Sequence, residues 1–64
     1  MEDIKQRRMS LNYSQREVAK QIEISPRQYA RYEDEPLKIP LGKAIKLARV
    51  LHLSFKQFIE LIEK

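Results

Sequence analysis

A helix-start signal that recurs three times limits what this 64-residue chain can fold into more than any other feature. In each copy, a serine is followed three residues later by glutamate or glutamine. The serine hydroxyl can accept from the backbone N–H of that residue, whose side chain can in turn accept from the serine N–H. The pairs are Ser14 with Glu17, Ser25 with Gln28, and Ser54 with Gln57. We therefore predict that a helix begins directly after each of these serines.

The first two start signals are so close in sequence that they define how their helices meet. They predict helices at about 15–22 and 26–33, separated by roughly three residues. Pro26 occupies the first position of the later helix, where its missing N–H costs nothing and its fixed φ suits a helix. Two helices this short, with so short a connection, must meet at a steep angle. That is the helix-turn-helix arrangement, in which the second helix is presented outward to a groove.

The apolar spacing in the rest of the chain is helical throughout and predicts three further helices. They span about 2–10, 41–51 and 55–63. The helix at 41–51 is expected to turn one apolar stripe inward, formed by Leu41, Ala44, Ile45, Ala48 and Leu51 and widened by Leu47. The predicted fold is all-α, a single five-helix domain over residues 1–64, near the lower size limit for one apolar core.

The ends of the first predicted helix carry residue types that suit a helix. Glu2 and Asp3 are expected in its first turn, and Arg7 and Arg8 lie near its end, so both signs suit the helix macrodipole. Asn12 follows at the position where a left-handed residue commonly ends a helix, and asparagine is the usual second choice after glycine. These residues support a first helix that ends just before the helix-turn-helix.

The composition excludes several function classes. The chain has no cysteine and only one histidine, His52, so we expect no disulfide and no thiolate or multi-histidine metal site. It contains no catalytic pair and no glycine-rich phosphate loop, and no apolar run approaches the ~20 residues of a membrane span. The N-terminus lacks the apolar segment of a secretory signal. We therefore expect a cytoplasmic protein that is not an enzyme, without a cofactor, metal, membrane contact or small-molecule ligand.

The charge and the predicted third helix together favour nucleic acid as the partner. The net charge is +4, which is consistent with nucleic acid and also with an ordinary solvated lysine-rich surface. At 100° per residue, Arg27 and Arg31 share one face of the third helix, with Ala30 between them. Arginine can bond guanine bidentately, and Gln28, on the flank, can serve adenine. We predict that Arg27, Gln28 and Arg31 read bases.

Four residues around this helix are candidates for phosphate contacts. Gln15 is the first residue of the second helix, so its side chain and the free N–H groups there can meet a phosphate together. Arg16 lies beside it on the outer surface, and Lys38 and Lys43 follow the third helix. A solvated loop is the alternative for the two lysines. Asp34 and Glu35, at the C-terminal end of the third helix, argue against DNA, because they would repel phosphate.

Arg8 and Glu33 are each the odd charge on an otherwise apolar helix face. A charge left unpaired in the interior costs several kcal/mol, on the order of 3–5 when one partner is removed. We therefore predict that Arg8 and Glu33 form an ion pair that ties the first helix to the third.

The last helix carries a wide apolar face close to the end of the sequence. Phe58 and Ile62 lie on this face, whereas Leu61 falls about 100° outside it. An apolar surface of this kind can be a subunit contact, and Phe58, Leu61 and Ile62 are the candidate dimer residues. The alternative is a frayed end with one exposed leucine.

Three motifs together resemble a known family. They are R-x5-S-Q-x-E-V-A-x-x-I in residues 8–22, I-S-P-R-Q-Y-A-R-Y-E in 24–33, and P-L-x-x-A-I-K-L-A-R-V-L-x-L-S in 40–54. The chain resembles the Cro/cI-type (XRE) helix-turn-helix domains of phage repressors and bacterial regulators, which have the lambda-repressor-like fold. It departs from them at Glu23, where members usually have glycine in the turn, and in its acidic connector after the third helix. Pro26 replaces a side chain that reads a base in some members.

The resemblance implies binding to a pseudo-palindromic double-stranded DNA operator as a homodimer, often through the last helix and the preceding loop. It also implies that Gln15 lies on phosphates and Ser25 near the DNA backbone, with Arg27, Gln28 and Arg31 in the major groove. The sequence therefore predicts a sequence-specific transcriptional regulator, a repressor of phage, mobile-element or bacterial origin. The alternative is a protein-interaction module, an antirepressor or adaptor that uses the same fold to grip a partner.

Overall fold

The computed structural model describes residues 3–63 and contains five α-helices and no strand in that range. The helices are α1 (Ile4–Ser10), α2 (Gln15–Gln21), α3 (Pro26–Asp34), α4 (Leu41–Val50) and α5 (Phe55–Ile62). A single 3-10 turn, Pro36–Lys38, lies between α3 and α4. The all-α, five-helix fold is therefore confirmed.

The first helix begins later than its acidic residues suggest. Asp3 precedes the helix as its N-cap, and its carboxylate accepts from the Gln6 N–H at 2.8 Å. The expectation that Asp3 lies in the first turn is therefore wrong, because aspartate satisfies a free N–H better from the capping position. Glu2 lies outside the described residues.

The serine start signals set the beginnings of α2, α3 and α5. The Ser14–Glu17 and Ser54–Gln57 pairs each form both hydrogen bonds of a capping box. At α3 only half of the box is present, since the Ser25 hydroxyl accepts from the Gln28 N–H at 3.1 Å and no return bond from the Gln28 side chain is found. The Gln28 amide is consequently left available at the surface.

Three of the four connections between helices use one and the same backbone turn. Asn12, Glu23 and His52 have φ values of 62°, 62° and 58°, in the left-handed region. Each lies immediately after the residue that ends a helix, and is followed by an apolar residue and then by the serine that caps the next helix. The prediction for Asn12 is confirmed, and Glu23 adopts the positive φ for which glycine is usual.

Hydrogen bonds in these three turns close each helix with a Schellman motif. The apolar residue donates its N–H to a carbonyl five residues earlier, at 3.2 Å from Tyr13, 3.0 Å from Ile24 and 2.9 Å from Leu53. Four residues lie between one helix and the next, and within them the turn pairs the last carbonyls of the first helix while the serine cap pairs one of the free N–H groups of the second. The turns therefore fix the relative placement of the helices they join.

Glu23→Gly should raise the thermal unfolding midpoint by roughly 5 °C, because glycine adopts a positive φ without strain. The substitution removes the contact of Glu23 Oε1 with Lys46 Nζ at 2.8 Å, but that pair is exposed and contributes little. Glu23→Ala is the control, since it removes the same pair and keeps the strain. A glycine variant that melts no higher than the alanine variant would contradict the argument.

The core lies between all five helices. Its buried apolar residues are Ile4, Val18, Ala19, Ile22, Tyr29, Tyr32, Ala44, Leu47, Ala48, Leu51 and Phe58. The stripe expected on α4 is partly wrong, because Leu41 and Ile45 are 65% and 42% exposed. Leu47 is fully buried, and it moves the inward face of α4 around the helix, away from Leu41 and Ile45.

Two basic side chains cap helix C-termini from elsewhere in the fold. Arg7 Nε donates to the Leu51 carbonyl at 2.9 Å, and Lys43 Nζ donates to the Ile22 carbonyl at 2.9 Å. The carbonyls at a helix end carry partial negative charge, so cations there are stabilising. None of the helices in the described part of the chain is long and apolar enough to cross a membrane.

Candidate nucleic-acid interface

Helix α3 is held by its inner face, and its outer face is open. Tyr29 and Tyr32 are buried, which leaves Arg27, Gln28 and Arg31 on the exposed side. None of these three side chains forms a hydrogen bond or ion pair within residues 3–63. The two guanidinium groups, four residues apart along the helix, therefore offer all their donors to an external partner.

Glu33 joins α1, α2 and α3 through a single carboxylate. Arg8 Nε donates to Glu33 Oε2 at 2.6 Å, and Gln15 Nε2 donates to Glu33 Oε1 at 2.9 Å. Arg8 Nη1 also donates to the Tyr13 carbonyl at 2.7 Å. The sequence suggested the Arg8–Glu33 contact but not this role of Gln15, because a polar first-turn glutamine gives no sign in the sequence of a partner 18 residues away.

The ionisation of this cluster follows from its burial and its hydrogen bonds. The side chains of Arg8 and Glu33 are only 9% and 5% exposed. Burial acts to raise the pKa of Glu33, but the hydrogen bonds from Arg8 and Gln15 outweigh it and hold the pKa below its ordinary value. The hydrogen bond to Glu33 raises the pKa of Arg8. Burial, and then Glu33, raise the pKa of the nearby Tyr29 hydroxyl, so all three groups keep their neutral-pH charge states.

Acid should remove the stability that Glu33 contributes. Because its folded-state pKa is lowered, this contribution is complete above the unfolded-state pKa of about 4.3 and is lost as the pH falls through the folded-state value. Thermal unfolding of wild type and Glu33→Gln from about pH 7 down to about pH 2.5 measures it. The gap between the two midpoints should be constant near neutrality and close below about pH 4. A gap of equal size at both ends of the range would rule out this linkage.

The candidate phosphate-binding side chains differ in their exposure and in whether they already have a partner within the protein. Arg16 is exposed and makes no ion pair within the described residues, whereas the Ser25 hydroxyl is used as the α3 cap. Lys38 Nζ lies 3.1 Å from Glu35 Oε2 in an exposed pair that opens at little cost. Lys43 is half-buried and caps the end of α2, so its ammonium already has a structural partner.

The acidic run 33–35 repels phosphate less than its sequence suggests. Glu33 is turned inward to Arg8, and Glu35 pairs with Lys38. Within residues 3–63 only Asp34 of the three lacks a basic partner. While the Glu35–Lys38 pair is closed, Asp34 is the one acid of the three without a basic partner in the described residues, and a Lys38 that turns to a phosphate leaves Glu35 as a second.

The dimer candidates on α5 do not form an exposed surface. Phe58 is 0% exposed at the centre of the core, and this makes it unavailable to a second subunit in the folded chain. Leu61 and Ile62 are half-buried and pack against the core. The assignment of Phe58 to an interface is therefore corrected, since a phenylalanine inside a domain this small is needed for its own core.

Two short consecutive helices, a tight turn between them and a second helix with free arginines define a helix-turn-helix DNA-binding domain. A family model described as "Helix-turn-helix" matches residues 4–58. The chain belongs to this family, in the XRE group with the Cro/cI-type domains, and is a DNA-binding transcription regulator of that type. Comparison with curated proteins and with solved structures found no match.

Proposed function

We propose that this regulator is a sequence-specific repressor, of phage, mobile-element or bacterial origin, that acts in the cytoplasm. It binds a pseudo-palindromic operator as a homodimer, with α3 in the major groove. The observation that carries the proposal is the pair of arginines on the outer face of α3, which have no partner among residues 3–63 and are held outward by the buried Tyr29 and Tyr32.

Base reading is assigned to the exposed face of α3. Arg27 and Arg31 bond guanine edges bidentately, and Gln28 bonds adenine through its amide. The Gln28 amide is available for this because it does not complete the capping box with Ser25. These three side chains make no hydrogen bond or ion pair with the described part of the chain, so none has to be broken there on binding, which favours their use for readout.

Phosphate binding is assigned mainly to the start of α2. Gln15 keeps one amide hydrogen and its carbonyl oxygen after donating to Glu33, so the contact to Glu33 orients it for a phosphate beside the free N–H groups of α2. Arg16 and Lys38 add exposed charge, and Ser25 lies near the DNA backbone. Lys43 contributes only if it leaves the Ile22 carbonyl, which makes it the weakest member of the set.

Selection of bound duplexes from a random-sequence DNA pool at about 0.15 M salt tests the proposal. A palindrome with half-sites roughly 10–10.5 bp apart is the expected result, because the two-fold axis of a dimer places its α3 helices one helical turn apart. An unsymmetrical single site would support sequence-specific base reading and contradict the homodimer. If no sequence is enriched, the proposal of a sequence-specific DNA-binding repressor is wrong, and the alternative of a protein-interaction module is favoured.

The dimer surface that we propose replaces α5 with the exposed apolar residues of α4. Leu41 and Ile45 lie four residues apart on one helix face, and Leu37 and Phe55 are also exposed. Sedimentation should show Leu41→Glu weakening association at least about tenfold, because a charge is costly in an apolar contact. Met9→Glu, which alters an exposed apolar residue of α1, is the control and should leave association unchanged. Equal effects of the two substitutions would count against this surface.

A further inference from the structure

Helices α2 and α4 lie side by side and are linked by two side-chain pairs. Lys46 Nζ, within α4, lies 2.8 Å from Glu23 Oε1, and the Tyr13 hydroxyl lies 3.3 Å from His52 Nε2. Because Tyr13 precedes α2 and His52 follows α4, whereas Glu23 follows α2 and meets the middle of α4, the two helices run in opposite directions. A groove of about 440 Å³, open to solvent on one side, lies along the two helices at the Tyr13–His52 contact.

The floor of this groove is apolar and its rim is basic. Val18 lies at the bottom, flanked by half-buried Val50. Lys20 and Arg49 stand on opposite sides, one on each helix, and neither side chain has an ion-pair partner within residues 3–63. Glu17 is the single acid in the lining, and one of its carboxylate oxygens accepts from the Ser14 N–H at 2.8 Å. With Lys20 and Arg49 against Glu17, the lining carries one positive charge in excess around an apolar centre.

The groove is separate from the proposed DNA surface. None of the eight DNA candidates lines it: Gln15, Arg16, Ser25, Arg27, Gln28, Arg31, Lys38 and Lys43 all lie elsewhere. A duplex on α3 would therefore leave the groove accessible. Lys20 and Arg49 lie on the two sides of an apolar floor. This arrangement suits an occupant that is apolar in the middle and anionic on both sides.

We infer that this groove binds an acidic segment of a partner protein, with an apolar side chain against the half-buried Val50, above the buried Val18, and carboxylates on Lys20 and Arg49. A half-open groove suits one anchoring side chain and its neighbours better than it suits a small molecule, which needs most of its surface enclosed. The apolar contact holds the segment in place, and the two cations select its charge. The regulator would then bind DNA and a second protein at the same time, through different faces.

The binding can be tested with short synthetic peptides and the intact chain, followed by residue-resolved NMR. Each peptide carries a central leucine, phenylalanine or tryptophan flanked by aspartate and glutamate, and a matched set carries lysine in place of the acids. At least one acidic peptide should bind saturably at about 0.15 M salt and shift the backbone signals of Val18, Lys20, Arg49 and Val50. The lysine set should not bind.

Two double variants with the same change in net charge distinguish binding in the groove from general electrostatic attraction between the peptide and the protein. Lys20→Glu with Arg49→Glu should weaken peptide binding at least about tenfold, whereas Lys5→Glu with Lys56→Glu, on exposed positions outside the lining, should change it less than about twofold. Equal losses in the two double variants would overturn the inference, as would shifts confined to α3 or no binding by any acidic peptide. If a DNA duplex shifts the groove signals in place of the peptides, the surface is a phosphate contact and the inference is wrong.

Discussion

Glu33→Ala should destabilise the protein by about 3–5 kcal/mol, because it leaves the Arg8 guanidinium buried without its charge partner. The loss is large against the stability expected of 64 residues, roughly 3–10 kcal/mol. It also releases Gln15 and so loosens the start of α2. Urea unfolding followed by circular dichroism measures the change, and we expect a substantial unfolded fraction without denaturant.

Two further variants decide whether the buried pair is responsible. Glu35→Ala removes a neighbouring acid whose pair with Lys38 is exposed, so it should cost no more than about 1 kcal/mol. Glu33→Gln keeps one acceptor oxygen, which can serve Arg8 or Gln15 but not both, and should fall between wild type and Glu33→Ala. If Glu33→Ala and Glu35→Ala unfold at the same urea concentration, the Arg8–Glu33 pair does not stabilise the fold.

Arg27→Ala should weaken binding to the selected operator by about 1–3 kcal/mol, roughly 5- to 150-fold, and relax the preference at one base-pair position. The reason is that a bidentate arginine–guanine contact exists only on the correct base. Arg27 is exposed and unpaired within residues 3–63, so its removal should leave the unfolding midpoint nearly unchanged. Fluorescence anisotropy on the operator and on single-base variants of it measures both effects.

Arg16→Ala is the matched control for base reading. It removes an exposed arginine that we assign to a phosphate, so it should weaken operator and random duplex alike and lower the slope of log K against log salt by about 1. Equal losses on operator and random DNA for Arg27→Ala would show that Arg27 contacts phosphate and does not read a base.

The fold was predictable to the extent that its signals are local. A capping serine acts on residues three positions away, so the starts of α2, α3 and α5 could be predicted from adjacent residues alone. The face of α4 was less predictable, because Leu41, Ile45 and Leu47 are all apolar and only the placement of α2 and α5 decides which of them is buried. Leu47 is buried, and the other two are exposed.

In the candidate site, too, the features set by local sequence were predictable and those set by the packing of helices were not. The charge and spacing of Arg27 and Arg31 suffice to predict an outward basic face, and the family match agrees with that type of site. The second partner of Glu33 depends on where the first turn of α2 lies relative to α3, which no local pattern records. Lys43 was predicted to contact a phosphate or to be solvated. In the structure its ammonium instead donates to the Ile22 carbonyl, 21 residues away, which the sequence does not indicate.

The three turns at Asn12, Glu23 and His52 have the same backbone conformation, and the connections that contain them do not tolerate a change in length. One residue inserted at Asn12, Glu23 or His52 would break the hydrogen bonds that close the turn and displace the next helix from its packed position. The segment from Glu35 to Pro40 is different, because in the described chain it alone joins two helices without such a turn. A designer who needs to splice a tag, a linker or a sensor module into this protein has one internal place to put it, and that place lies between α3 and α4.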